Sequence, residues 1–320
     1  MIPVNAAYYP RVVIALGGNA LILPGERGTL EEQRRHLRQA MAQTADLVTS
    51  GFASVITHGN GPMVGHLLLQ MECARELVPP MPLFICDADS EGGLGFLIQQ
   101  SLVNELHRRG KERGVITVVT QVEVSPDDPS FQAPDKPIGP FYSAEEAEKL
   151  RIERGWHLLE DAGRGWRRVV PSPRPLTIIE QAIISYLLEG GFIVIAAGGG
   201  GVPVVRLPNG DLVGVEAVID KDRASAVLAR EISADLLIFL TAVEYVYLNY
   251  GKPGQRPLAR LTCAEARHYL QEGHFAPGSM APKIESAVDF LSQDGKRVLI
   301  TQPESLAQAL QGLSGTHIFP

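Results

Sequence analysis

Cysteine is scarce in this 320-residue chain, with only Cys73, Cys86 and Cys263. Three thiols sharing no short spacing suit neither a disulfide framework nor a zinc site, and fit a reduced, cytosolic protein. A basic excess is also missing. With 36 acidic residues against 29 basic ones the net charge is −7, which argues against general nucleic-acid binding, because neutralising phosphates needs basic surface. The N-terminal "MIPVNAAYYPRVVIALGGNAL" has no basic region before its apolar run and no cleavage-like site after it. That run is too short to span a bilayer, so a soluble intracellular protein without a membrane partner is expected. No G-x-x-x-x-G-K-[ST] occurs, and no G-x-G-x-x-G opens the first helix, which disfavours P-loop and dinucleotide binding. Lysine is also scarce: seven, at 111, 136, 149, 221, 252, 283 and 296, against 22 arginines. A genome or habitat favouring arginine accounts for the bias. Even so, a lysine that interrupts a buried pattern stands out, since its compact charge meets a phosphate differently from arginine's planar fork.

What is present is ordinary globular composition, 45% hydrophobic and 20% charged, enough for one α/β domain with insertions. Short apolar runs ending in Gly-rich loops alternate with amphipathic helices, the pattern of a parallel sheet. "RVVIAL" ends at Gly17-Gly18-Asn19. Thr29 and Glu32 then predict a capping box for a helix to about Thr49, stopped at Gly51. "FASVIT" ends in "HGNGP", whose Pro62 suits a first helical turn. "VITVVT" at 115–120 is a third strand, after a helix carrying "HRRGKER". Prolines crowd 121–172 around one short helix at 143–153, which reads as an inserted flap, or lid subdomain. A helix over about 176–188, "FIVIAA" and Gly198-Gly199-Gly200-Gly201 follow. Next come a hairpin turning at Asn209-Gly210, a helix from about Ala224, the strands "LLIFL" and "EYVYL", a helix from 280, "RVLIT", and a closing helix and strand. The expected fold is an open, mainly parallel αβα sandwich, one domain over 1–320 with 121–172 inserted.

In open α/β sheets ligands gather at the C-terminal strand ends. Three such ends are Gly-rich here: 17–19, 58–62 and 198–201. Each alone is equally a tight turn. Together they point to an anionic ligand, because glycine lets successive N–H groups and a helix N-terminus close on an anion. Two lysines fit that picture. Lys221, in "AVIDKDRASA", opens a helix whose dipole favours negative charge, and Lys283 lies just inside another helix. Either is otherwise a surface lysine, and Asp222 otherwise a helix N-cap.

The stretches "VVIALGGNAL", "THGNGPMVG", "KPIGPFY", "AAGGGGVPVV", "GVEAVIDKDRASAVLA", "LTAVEYVYLNYGKP" and "FAPGSMAPKIESAVDFL" resemble the carbamate kinases of the amino acid kinase family, over essentially the whole chain. The resemblance implies a homodimer that moves a phosphoryl group reversibly between ATP and carbamate, giving ADP and carbamoyl phosphate. It implies that Gly17, Gly18, Asn19, Gly59, Asn60 and Gly61 cradle carbamate and the phosphoryl group. Lys221 and Lys283 would neutralise phosphate charge, with Asp222 orienting them. Gly199, Gly200, Val243, Tyr247 and Met280 would border the nucleotide. Mg²⁺ would be held largely by the phosphates and water. Many wider relatives carry a lysine two residues before the glycine pair, where Ala15 stands here. The resemblance therefore points to Lys136, on the inserted segment, as a cation delivered by a closing lid; otherwise that segment is a proline-rich surface flap. Carbamate is already an oxyanion, so no general base is needed. His58 and His66 then read as structural, Glu216 and Asp220 as local carboxylates, with Asp220 also placed to tune Lys221. Competing readings are another phosphotransferase of this fold acting on a carboxylate, and a non-catalytic sensor of nucleotide or carbamoyl phosphate.

Overall fold

The computed structural model describes residues 10–17, 26, 28–161 and 163–320. Its frame is an eight-stranded sheet of β1 (Arg11–Leu16), β2 (Ala53–His58), β3 (Val115–Thr117), β9 (Ile193–Ile195), β12 (Leu236–Leu240), β15 (Arg260–Thr262), β16 (Arg297–Thr301) and β17 (Thr316–Phe319). The strands lie in the order β15-β17-β16-β12-β1-β2-β9-β3, and only β15 and β17 run against the rest. Period-two alternation along β1 feeds both faces. Val13 and Ala15 join one core, beneath α5 (Gln181–Glu189), α6 (Lys221–Glu231), α7 (Cys263–Gln271) and α8 (Met280–Leu291). Val12, Ile14 and Leu16 join the other, beneath α1 (Leu30–Thr49), α3 (Leu83–Arg108) and α9 (Leu306–Leu310). Strands apolar on both faces demand such double cover, so the sequence pattern and the αβα sandwich agree.

A second sheet, in the order β11-β10-β4-β8, joins β4 (Gln121–Val124), β8 (Pro175–Ile178), β10 (Val202–Arg206) and β11 (Leu212–Gly214). β13 (Val246–Leu248) and β14 (Arg256–Leu258) form a hairpin. Within the inserted segment, β5 (Lys136–Tyr142), β6 (Leu158–Glu160) and β7 (Trp166–Val170) form a three-stranded sheet with α4 (Ala144–Arg154). That small sheet lies against α2 (Gly61–Ala74), where a Cβ on Gly65 would sit 2.7 Å from the Gly139 Cα. Backbone meets backbone there, and only glycine permits it. Among the described residues no helix is long and apolar enough to cross a membrane.

The capping box at Thr29 and Glu32 forms as its spacing predicts, and so does one at Ser143 and Glu146. Some boundaries differ from the sequence expectation. Residues 175–178 are a strand rather than the start of a helix, because they pair with β4 along its free edge. α6 begins at Lys221 rather than near Ala224, and its N-cap is Asp220, not Asp222. The Asp220 carboxylate accepts from the backbone N–H groups of Asp222 and Arg223, satisfying two otherwise orphaned donors. α7 lies where no helix was anticipated, although Thr262 and Glu265 spell its capping box.

Candidate active site

The Gly-rich loops converge at the C-terminal ends of β1, β2 and β9. Gly17 follows β1 and is pinned by its N–H to the Leu240 carbonyl at 2.9 Å; a Cβ there would lie 2.7 Å from that oxygen. The Gly59 N–H reaches the Leu16 carbonyl at 3.3 Å, tying the first two loops together. Asn60 is buried and its amide donates to Ser90 Oγ at 2.9 Å and Asp87 Oδ1 at 3.3 Å. The third loop closes over it, since a Cβ on Gly199 would lie 2.2 Å from the Asn60 amide nitrogen. Gly199, Gly200 and Gly201 all have positive φ, at 69°, 104° and 83°, a run of conformations that side chains resist. Gly61 opens α2. Gly18 and Asn19 lie outside the described residues.

Beside these loops stands a chain of five charges. Lys136 Nζ on β5 contacts Asp220 Oδ2 at 2.9 Å. Lys221 Nζ contacts Asp222 Oδ1 at 2.5 Å, and Lys283 Nζ contacts Asp222 Oδ2 at 2.9 Å. Both lysines on Asp222 lie in the first turn of a helix, α6 or α8, so backbone N–H groups add to their positive field. Side-chain exposure is 12% at Lys221, 11% at Lys283 and 6% at Asp222. Burial would raise the Asp222 carboxyl, but Lys221 and Lys283 outweigh it and hold the group below its usual range. Burial likewise opposes ionisation at Asp220, and Lys136 overcomes it, leaving that carboxyl at about 2. Burial pulls the Lys221 ammonium below the ordinary lysine range, against the pull of Asp222. Three lysines against two aspartates leave net positive charge in a desolvated place, which suits an anion. Asp220 therefore pairs with Lys136 and caps α6. Glu216 accepts from the Leu83 N–H at 2.8 Å, at the start of α3.

Several polar residues of this centre were not singled out by sequence reasoning. α3 passes beneath the loops and carries Asp87, Ser90 and Glu91, all buried. Glu91 accepts from the Gly198 N–H at 2.8 Å and the Thr120 N–H at 3.1 Å, and burial pushes its carboxyl up to about 8. Burial also raises Asp87 well above its usual range. Acidic residues inside the otherwise apolar "LFICDADSEGGLGFL" were the available signal, since such groups are rarely buried without a task. His58 is fully buried and burial lowers it to about 4, so it is neutral at physiological pH, with Nδ1 against the Gly59 carbonyl at 3.1 Å. Ala15, facing the core, is fully buried too.

Val243 and Tyr247 lie on the connection leaving β12 and on β13. The Tyr247 ring centroid lies 5.7 Å from that of Tyr250 and 6.5 Å from that of Tyr245. Met280 opens α8, three residues before Lys283, and packs on the core.

This arrangement can be set against known proteins. The sequence model of the amino acid kinase family matches residues 10–302. The chain belongs to the amino acid kinase family. Within that family it is 50% identical to the carbamate kinase of Thermococcus kodakarensis over 311 residues, covering 96% of this chain and 98% of the relative. It is 49% identical to the carbamate kinase-like protein YahI of Escherichia coli, over 96% of this chain and 98% of that one. The solved carbamate kinase of Giardia lamblia bound to AMP-PNP superposes with a TM-score of 0.91 at 41% identity, covering 97% of this chain and 98% of that one. The open sandwich expected from the sequence is thus the amino acid kinase fold.

Proposed function

We propose that this protein is a carbamate kinase, catalysing ATP + carbamate = ADP + carbamoyl phosphate in either direction. The observation that carries the reading is the Lys221–Asp222–Lys283 cluster at two helix N-termini, beside Gly-rich loops on the same sheet edge. Full-length relatives bearing that name at about half identity support it.

Phosphoryl transfer asks little covalent chemistry of a protein. Charge spreads over the equatorial oxygens of the moving group, and catalysis is positioning plus electrostatics. Lys221 and Lys283 supply that stabilisation, and Asp222, bridging both ammonium groups, fixes their separation. The carbamate oxygen needs no deprotonation, so the neutral His58 is not asked to act as a base. The side-chain-free glycines at 17, 59 and 198–201 let the backbone close on carbamate and the phosphoryl group, and the bonds already made by Gly17, Gly59 and Asn60 hold those loops in place. The residues after β12 and around Met280 border the nucleotide. Among the described residues no group of three or more His, Cys, Asp or Glu is placed to hold a metal ion. In this reading Mg²⁺ arrives with the nucleotide substrate, held by phosphates and water.

Lys136 rides on the small inserted sheet, which acts as a lid. Without ligand its ammonium rests on Asp220; with carbamoyl phosphate bound it exchanges that carboxylate for the phosphoryl group. The working form is a homodimer, which light scattering of the purified protein checks.

The deciding experiment is ATP formation from carbamoyl phosphate and MgADP, with acetylglutamyl and aspartyl phosphates as controls. Rapid production from carbamoyl phosphate alone is expected. Folded protein that makes no ATP from it would overturn the proposal.

A further inference from the structure

We propose that the opposite face of the sheet, at its β15–β17–β16 edge, carries a second oxyanion-binding site, built by Arg260, Arg297 and His317 and unrelated to phosphoryl transfer. Register places these side chains together. Arg260 on β15 pairs with His317 on β17, which pairs with Leu299 on β16, two residues after Arg297. Leu299 belongs to the core beneath α1, α3 and α9, whereas Lys221 and Lys283 lie in the first turns of helices on the other face. The short α9 leaves this edge uncovered, and a cavity of about 280 Å³ opens there, lined also by Tyr245, Ser314 and Phe319. That is room for a small anion rather than a cofactor.

The chemistry is one-sided. Arg297 donates to His317 Nδ1 at 2.7 Å, and the other ring nitrogen, 3.0 Å from the Ser314 carbonyl, must then carry the proton. His317 is therefore neutral and leaves the guanidinium charge uncancelled. Among the described residues the Arg297 Nε is buried without a hydrogen-bond partner. A guanidinium cannot shed its proton, so a buried, unused donor is a standing cost, and it leaves the positive charge beside the cavity uncompensated. Arg260 lies over the Phe319 ring at 4.9 Å, and among the described residues neither arginine has a carboxylate partner. Arg35, Arg109 and Arg206, by contrast, each meet one. Glu244 accepts from the Ser314 hydroxyl at 2.5 Å, which leaves the arginine end to the anion. Two forks beside an aromatic ring fit a phosphate or carboxylate, either free or attached to a flat apolar group.

The test reads His317 itself. Its ring signals, assigned with His317→Gln, are followed by NMR in MgADP-saturated protein. Inorganic phosphate, phenyl phosphate, acetate and benzoate are titrated separately. A saturable His317 shift is expected with at least one probe, with affinity falling about tenfold or more in Arg260→Gln and Arg297→Gln. Arg260 is exposed, so its variant keeps the fold even where Arg297→Gln does not. Whichever of phosphate or carboxylate binds tighter assigns the ligand. No saturable shift at millimolar concentrations of any probe, or unchanged affinity in Arg260→Gln, would overturn the site. ATP formation in Arg260→Gln should stay within about twofold of wild type, which keeps this outcome separate from that of the proposed kinase.

Discussion

Two cationic clusters lie on opposite faces of one sheet, and they solve the same problem differently. At the C-terminal strand ends each lysine leans on an aspartate: Lys136 on Asp220, Lys221 and Lys283 on Asp222. At the β15–β17–β16 edge Arg260 and Arg297 have no carboxylate among the described residues, and a neutral histidine stands between them. A guanidinium tolerates that, since it stays charged whatever its surroundings, whereas a buried ammonium readily loses its proton. Lysines meant to stay charged and fixed in a dry site therefore need acids beside them. The contrast makes Asp222 the residue on which the first cluster depends.

The largest effect should follow from taking that support away. Asp222→Ala leaves two buried ammonium groups without the carboxylate that bridges them, and breaking such a pair from one side costs about 3–5 kcal/mol. Urea unfolding should show that loss, together with loss of ATP synthesis; stability within error of wild type would mean that the lysines do not depend on Asp222. Next come Lys221→Ala and Lys283→Ala. Each should lower kcat about a hundredfold to a thousandfold, as removal of one preorganised donor does elsewhere, with circular dichroism unchanged. Near wild-type turnover in either would strike that lysine from the mechanism.

How much of this could be read from sequence follows the range of each interaction. Signals carried by neighbours three or four residues apart were legible: the Thr29–Glu32 box, the Asn209-Gly210 turn, the glycine loops after strands. Lys221 and Lys283 were visible because lysine is rare here. The pairing of Lys136 with Asp220 joins residues 84 apart, and no local pattern encodes it. The stretch 175–178 looked helical because its apolar spacing suits either period, and its pairing partner β4 decided the matter. Asp87, Ser90 and Glu91 were passed over because a helix that buries acids contradicts the usual pattern. Such contradictions mark functional sites more often than errors.

Burial at the loop junction gives a smaller, pH-dependent effect. His58 is held at about 4, below its ordinary 6.5, so the unfolded chain binds the extra proton. Its contribution is complete above pH 6.5 and is lost as pH falls toward 4, by at most about 3 kcal/mol. Glu91, pushed up to about 8 in the fold, has the opposite sign: its contribution is present below about 4.5 and is lost as pH rises toward 8. The two oppose each other between about pH 4.5 and 6.5, so the wild-type curve alone tests neither. The difference in urea stability between wild type and His58→Gln should narrow as pH falls through that window, and the difference for Glu91→Gln should narrow as pH rises toward 8. A difference independent of pH in both would mean that these groups titrate alike in folded and unfolded chains.

Lys136 should give the smallest change, and the most specific one. Its side chain is 36% exposed and water screens the pair, while Asp220 keeps the Asp222 and Arg223 N–H groups as partners. Lys136→Ala should therefore lower the melting temperature, but by less than Asp222→Ala does. If the lid delivers this ammonium to the phosphoryl group, KM for carbamoyl phosphate should rise about tenfold while KM for ADP holds, the signature of one lost charge-assisted contact on one substrate. A rise confined to ADP would place Lys136 at the nucleotide and remove the lid role. Equal rises for both would mean that the lysine serves only to neutralise Asp220, whose carboxylate, freed in the variant, would then repel either anion. Asp220→Asn separates these cases. It frees Lys136 while removing that negative charge, so it should lower KM for carbamoyl phosphate if the ammonium is withheld by its pairing, and raise it if the pairing positions the lid.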